Sequence, residues 1–297
     1  MSAQPRTTLL DPTFVRRLDQ LSLVNNRRLL TAVKGERRSR ARGSSLEFMD
    51  YRQYVPGDDL RQVDWNAYGR LGAMHVKLFE EEEMLTVHVL LDISKSMDWG
   101  QPNKLDYAVR LAAALGYVAM GAYDRVEVAA LTDDVVSRVG PCNGPSGVGS
   151  MLHFLSHLAP AGQTSLPRAL RAYGVRHRKP GMVLLISDLL SPDGWEAGVR
   201  ELLQRRFDVV LLHVLAPQEV EPPVGGDLRL VDRETGHGVD VTLSQHALDR
   251  YHQRFDEWIG DITSFARKHK VPYCRVDTSM PLMDLLFKEL RTRGLLQ

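Results

Sequence analysis

The sequence predicts an α/β fold: a doubly wound, mostly parallel sheet with helices on both faces, an N-terminal accessory segment and an inserted β-hairpin. Three observations predict it. From residue 85 onward strand-like and helix-like segments alternate, the pattern of a parallel sheet covered by crossover helices. Residues 182–187 and 209–215 are near-continuous apolar runs, as expected of strands buried on both faces. Residues 217–243 interrupt the alternation with proline, glycine and charge. The reading is therefore an accessory segment over residues 1–83 and a main domain over 84–297, with a hairpin insertion at 217–243.

In chain order, residues 12–33 read as a helix and 34–43 as a basic, glycine-containing linker. Residues 46–79 are mixed, with Pro56-Gly57 as a turn and Asp58 or Asp59 as a helix cap. Residues 85–91 form the first core strand. Residues 104–123 form a helix, because Leu105, Ala108, Val109, Ala112 and Leu115 recur at helical spacing. Residues 125–131 and 135–139 make a strand pair turning at Thr132, Asp133 and Asp134. Helices follow at 148–158 and 165–177, a strand at 182–187, a helix at 192–206 and a strand at 209–215. Inside the insertion, 228–231 and 239–243 are β-like. A long amphipathic helix at 245–269, an edge strand at 273–276 and a helix at 281–293 close the chain.

A chain of 297 residues allows one large domain or two small ones. Lys plus Arg (38) nearly balances Asp plus Glu (37), so global charge favours neither a nucleic-acid nor a membrane partner. Cys142 and Cys274 lack metal-ligand spacing, and so few cysteines fit a reducing compartment. The first residues lack a signal-peptide pattern, and the longest uncharged apolar stretch, 111–123, is well short of the ~20 residues that span a bilayer. The expectation is a cytoplasmic protein with no membrane span.

The chemistry gathers at three places. The first strand ends in Asp92-Ile93-Ser94-Lys95-Ser96-Met97, which delivers a carboxylate and two hydroxyls to the carboxyl edge of the sheet. Ligand sites of open α/β sheets form at that edge. A loop before a helix carries Thr164, and the 182–187 strand is followed by Asp188. Asp92, Ser94, Ser96, Thr164 and Asp188 offer only hard oxygen donors, which suit magnesium, manganese or calcium. The bland alternative is that the carboxylates and hydroxyls cap helices.

The D-x-S-x-S run, the loop threonine and the later strand-end aspartate resemble the metal-ion-dependent adhesion site of von Willebrand factor A domains, a Rossmann-type fold. The stretch Glu47-Phe48, Tyr51-Arg52, Tyr54, Pro56-Gly57-Asp58-Asp59-Leu60-Arg61 and Asp64-Trp65 is similar to the signature of family fifty-eight of the domains of unknown function. The likeness continues through Arg70, Glu80 to Glu83 and Lys104-Leu105-Asp106-Tyr107-Ala108. Members of that bacterial family are commonly encoded beside MoxR-type AAA+ ATPases. The resemblance implies a divalent cation, magnesium first, on Asp92, Ser94, Ser96, Thr164 and Asp188, the last through water. An acidic side chain of a partner would complete its shell. It also implies a chaperone-like adaptor acting with a MoxR-type ATPase on a client protein.

Other constellations are weighed against plainer readings. Arg52, Asp58, Asp59, Arg61, Asp64, Trp65 and Arg70 read as an internal ion-pair network, with a docking surface as the alternative. The basic linker lacks interleaved aromatics, and Glu80 to Glu83 nearly balance it, so no nucleic-acid site is expected. His153 and His157 share the i, i+4 spacing of zinc ligands without the glutamate of H-E-x-x-H, and read as ordinary helix residues. The glycine-rich run 144–149 has no following Lys-Ser or Lys-Thr and reads as a loop before a helix. A magnesium-dependent phosphohydrolase using Asp92 is the enzymatic alternative. It is disfavoured because Ser94 stands where a second carboxylate would serve as general acid. A metal-free scaffold is the third reading.

Overall fold

Strands with no polar face need cover on both sides, and the sheet of this protein has it. The computed structural model describes residues 9–24, 46–56, 58, 60, 63–81, 85–177, 179–222, 226–233 and 236–297. Two compact units result: Met1–Asn26 together with Leu85–Gln297, and Arg27–Met84. Residues 9–24 therefore belong with the sheet, although the sequence grouped them with the accessory segment.

In chain order the elements are α1 (Pro12–Leu18), β1 (Leu46–Gln53), α2 (Trp65–Leu71), β2 (His75–Glu81), β3 (Thr86–Asp92), α3 (Lys104–Gly121), β4 (Arg125–Leu131), β5 (Val135–Cys142), α4 (Gly144–Ser156) and α5 (Leu166–Arg176). There follow β6 (Met182–Ser187), α6 (Glu196–Gln204), β7 (Asp208–Leu215), α7 (Pro217–Val220), β8 (Gly226–Val231), β9 (Gly238–Leu243), α8 (Gln245–His269), β10 (Tyr273–Asp277) and α9 (Leu282–Asp284). The main sheet has six strands in the order β10-β7-β6-β3-β4-β5. All neighbours are parallel except β5, which runs antiparallel along β4.

Alternation along the strands builds two cores. Val87, Val89 and Leu91 of β3 and Met182, Leu184 and Ile186 of β6 face a core that includes α3. Leu90, Val183 and Leu185 face the opposite core, with residues of α5, α6 and α8. The alanines of α3 at 108, 112, 113, 114 and 119 are fully buried, which lets that helix lie close on the sheet. Each fully buried Leu or Val contributes about 1.5–3 kcal/mol relative to exposure.

This order creates a switch point. From β3 the chain moves outward through β4 and β5, then returns to the other side of β3 as β6 and continues to β7 and β10. The crevice past the carboxyl ends of β3 and β6 is where ligands of such sheets bind. Asp92 ends β3 and Asp188 directly follows β6, so both aspartates open onto it.

Several boundaries differ from the sequence reading for identifiable reasons. The helix expected over 12–33 ends at Leu18, because Ser22 exchanges backbone hydrogen bonds with Gln297 and the Val24 amide donates to the Leu295 carbonyl in extended form. Residues 25–33 and the basic linker lie outside the described residues. The run 144–149 is the start of α4 and not a loop: Pro145 occupies the first turn, where its missing N–H costs nothing. Gly147 suits the close packing there, since a Cβ would come 3.1 Å from the Cys142 backbone, tighter than an ordinary contact. The closing helix is α9 running into a π-helical turn, Leu285–Leu290. The insertion is an antiparallel hairpin of β8 and β9, preceded by the single turn α7.

In the smaller unit, β1 and β2 pair antiparallel. The cap of α2 is Asp64, whose carboxylate accepts from the Asn66 and Ala67 amides at 2.9 and 3.0 Å. Asp58 accepts from the Val55 amide at 2.9 Å and pairs with Arg52 at 2.7 Å across the Pro56 turn. Asp64 also accepts from the Tyr51 hydroxyl at 2.7 Å, and Trp65 is exposed. Asp59, Arg61, Glu82 and Glu83 lie outside the described residues.

Candidate metal centre

The site begins with a tight turn after β3. Asp92 Oδ1 accepts from the Ser94 amide at 2.9 Å, and Oδ2 accepts from the Ser187 hydroxyl at 2.6 Å. The first bond folds Ser94 back beside the carboxylate and starts a 3₁₀ turn over Lys95–Met97. That turn sets the Ser94 and Ser96 hydroxyl oxygens 3.0 Å apart. Asp92 and Ser94 are fully buried, while Ser96 is only partly so.

Backbone bonds bring the Thr164 loop alongside. Ala161 donates to the Ile93 carbonyl at 2.8 Å, and Ser165 donates to the Thr132 carbonyl at 3.3 Å. The loop thus lies against the ends of both β3 and β4, and Thr164 within it is buried. Gly162, at φ +61°, allows the bend.

Asp188 enters from β6. Its Oδ1 accepts from the Leu190 amide at 3.0 Å, and its Oδ2 accepts from the Lys104 ammonium at 2.7 Å. Leu189, between them, sits at φ +56°, an unusual conformation for a branched residue, with its amide donating to Ser187 Oγ at 2.9 Å. Local backbone strain of this kind is typical of functional sites. Lys104 reaches the site from the first turn of α3 and also donates to Glu219 Oε1 at 2.6 Å. Glu219 in turn accepts from the Ala216 amide at 2.8 Å.

The electrostatics follow from burial. Burial, together with the charge of Asp188, pushes Asp92 up to about 6, against hydrogen bonds from Ser187 and Ser94 that favour the carboxylate. Burial opposes the Lys104 ammonium, but Asp188 and Glu219 outweigh it and leave Lys104 above its ordinary value. On the next strand, burial drives His213 down to about 3; its Nδ1 pairs with the Tyr273 hydroxyl at 2.9 Å.

The donor chemistry can be tested against a divalent cation. At magnesium–oxygen distances of about 2.0–2.1 Å, adjacent octahedral positions stand about 2.9 Å apart. The hydroxyl separation of 3.0 Å matches that spacing. The Asp92 carboxylate accepts from the Ser187 hydroxyl, the Ser94 amide and the Ser94 side chain, fewer than its roughly four lone-pair sites, which leaves room for a ligand. Among the described residues no three or more His, Cys, Asp or Glu side chains group as metal ligands, so an ion here would depend on hydroxyls as much as carboxylates. The residues fit a hard cation, with Asp188 shared with an ammonium.

Of the five residues singled out in the sequence, Asp92, Ser94 and Ser96 form one turn, the Thr164 loop is bonded beside them, and Asp188 stands at the adjoining strand end. The sequence reading missed Lys104, Glu219 and Ser187. Ser187 was detectable in principle, as the residue preceding Asp188 at the same strand end. His153 on α4 and His157, which caps its end, are exposed, and the His157 ring bonds the His153 carbonyl at 2.7 Å.

A family model described as "Protein of unknown function DUF58" matches residues 50–257. The uncharacterized protein Rv1480 of Mycobacterium tuberculosis is 31% identical over 293 residues, covering 96% of this chain and 92% of that one. The uncharacterized protein MAV169 of Mycobacterium avium is 30% identical over 141 residues, covering 46% and 83%. Among solved structures, the conserved hypothetical protein BatB from Bacteroides thetaiotaomicron is 20% identical with a TM-score of 0.45, covering 71% of this chain and 98% of that one. An aerotolerance-related membrane protein from Bacteroides fragilis is 21% identical with a TM-score of 0.43, covering 66% and 92%. No helix among the described residues is long and apolar enough to cross a membrane.

Proposed function

The chain belongs to the DUF58 family, and on that premise we propose that it is a non-enzymatic, cation-dependent protein-interaction module with a von Willebrand factor A-like sheet domain. In this reading Asp92, Ser94 and Ser96 hold magnesium, or manganese or calcium in its place, with Thr164 and Asp188 completing the donor set. The ion would supply a positive coordination point for an acidic side chain of a partner. That partner is a MoxR-type AAA+ ATPase, and the pair acts as an adaptor and motor in maturing or remodelling a client protein.

The observation that carries the reading is the Ser94–Ser96 hydroxyl pair, set 3.0 Å apart beside Asp92 at the switch point of the sheet. The test is retention of a MoxR-type ATPase on the immobilised chain, with magnesium and with chelator. Retention should need the cation and vanish in Asp92→Ala. Equal retention by that variant in chelator would sink the metal bridge.

A second reading, a metal-free scaffold, is favoured by Lys104, which already brings a positive charge to Asp188 within the fold. Calorimetric titration separates the two, since only the first reading predicts saturable cation binding that Asp92→Ala removes.

A further inference from the structure

Three contacts join the hairpin insertion to the loop that carries the candidate ligands. Glu219, in the turn that opens the insertion, bonds Lys104, which bonds Asp188. Next to it the Gln218 amide donates to the Gln101 carbonyl at 2.8 Å and accepts from the Gln101 amide at 3.1 Å. From the far end of β8, Arg233 donates to the Asp98 carbonyl at 2.8 Å, two residues beyond Ser96. The Lys104 side chain is 1% exposed and that of Asp188 not at all, so this is an internal linkage and not a surface ion pair.

We propose that Lys104 is a positioning residue through which cation binding at Asp92 and the arrangement of the 217–243 insertion control one another. The proposal rests on the cation site of the preceding section and adds its regulation. The Lys104 ammonium divides its hydrogen bonds between Asp188 and Glu219. A divalent cation beside Asp92 adds positive charge next to the same Asp188, so it draws on that carboxylate in competition with the ammonium. The ammonium then leans toward Glu219, whose other oxygen is fixed to the Ala216 amide at the root of the insertion. The exchange is reciprocal: whatever shifts the insertion alters cation affinity by the same factor as the cation alters the insertion.

The test uses the full chain and Mn²⁺, followed by electron paramagnetic resonance, with hydrogen exchange read over the insertion. Glu219→Gln removes the second negative charge on the ammonium, which strengthens its hold on Asp188, and should weaken Mn²⁺ binding several-fold. Lys104→Met combined with Glu219→Gln removes the ammonium bonded to Asp188 and the carboxylate one step farther off; because the nearer charge dominates, it frees Asp188 and should tighten binding roughly tenfold. Mn²⁺ should change exchange in the 226–243 hairpin of the wild type and leave it unchanged in the double variant. A merely structural lysine would leave metal affinity alone once folding is preserved. Equal Mn²⁺ affinity in wild type and double variant, or a wild-type hairpin indifferent to Mn²⁺, overturns the proposal. If wild type and Asp92→Ala both fail to bind Mn²⁺, the cation reading itself fails. The proposal, which rests on that reading, then falls with it, whereas Mn²⁺ binding accompanied by either of the preceding results overturns the proposal alone.

Discussion

Lys104 and Asp188 meet at 2.7 Å with both side chains removed from water. Moving two such ions from water costs several kcal/mol each, and their attraction offsets this only while both remain. Lys104→Met alone leaves Asp188 and Glu219 without their shared cation. We expect it to lower stability by about 3–5 kcal/mol, the usual result of breaking a buried pair. Urea denaturation checks this, and a loss below about 1 kcal/mol would mean that water reaches the pair.

Asp92→Asn should move two quantities in opposite directions. It keeps the shape and the acceptor for the Ser94 amide but removes a charge that burial disfavours. Because the folded carboxyl titrates at about 6 against an ordinary 3.8, the fold favours its protonated form. Its contribution therefore falls as pH rises from about 4 to about 6 and stays low above that. At pH 7 the amide should raise basal stability by about 1–3 kcal/mol. It should also abolish the stabilisation by divalent cation, which for the wild type at a hundredfold excess over Kd is about 2.7 kcal/mol. Thermal melts in chelator, magnesium, manganese and calcium read both effects, and a cation shift that survives in the variant would place the ion elsewhere.

A substitution away from the site provides a control. Lys270 ends α8 in the left-handed region at φ +55°, with an exposed side chain. Such a conformation costs a residue with a Cβ about 1–2 kcal/mol, and glycine is the usual occupant there. Lys270→Gly should raise stability by about 1 kcal/mol without changing cation affinity, as measured by melts with and without magnesium.

The parts of the fold with strong periodicity were legible in sequence. β3, β6 and β7 are apolar on both faces, and α3 repeats its alanines and leucines at helical spacing, so local pattern and tertiary burial agree. The DUF58 resemblance read from residues 47–65 and 104–108 is matched by the family model over 50–257. The cap of α2 was not named in the sequence because Asp58, Asp59 and Asp64 are chemically alike, and only the fold shows Asp64 accepting from the Asn66 and Ala67 amides while Asp58 folds back on Val55. The end of α1 was illegible for another reason: its extension is stopped by the C-terminus at Leu295 and Gln297, over 270 residues away. Within the site, Asp92, Ser94 and Ser96 sit on one local turn and could be read together. Lys104 and Glu219 join Asp188 only through the fold, and a lysine at a helix start reads as solvated surface until its burial is known.

The opposite core carries a polar group with a defined pH consequence. His88 on β3 bonds the Tyr173 hydroxyl through Nδ1 at 2.7 Å, while its buried Nε2 has no hydrogen-bond partner among the described residues. Burial, aided by His177, lowers its pKa from 6.5 to about 4. The fold thus holds His88 neutral, and between pH 6.5 and 4 the unfolded chain binds a proton that the folded chain does not. Stability from this group is fully present above about 6.5 and is lost as pH falls toward about 4, by up to about 3 kcal/mol. His213, lowered to about 3, acts with the same sign, while Asp92 acts with the opposite sign between about 4 and 6. The informative quantity is therefore the difference between wild type and His88→Gln, measured by urea denaturation at half-unit steps of pH. That difference should shift by about 3 kcal/mol in favour of the variant between pH 7 and 4. A constant difference would mean that His88 takes up its proton in the fold as readily as in the unfolded chain, and that Nε2 has a polar partner able to accept it.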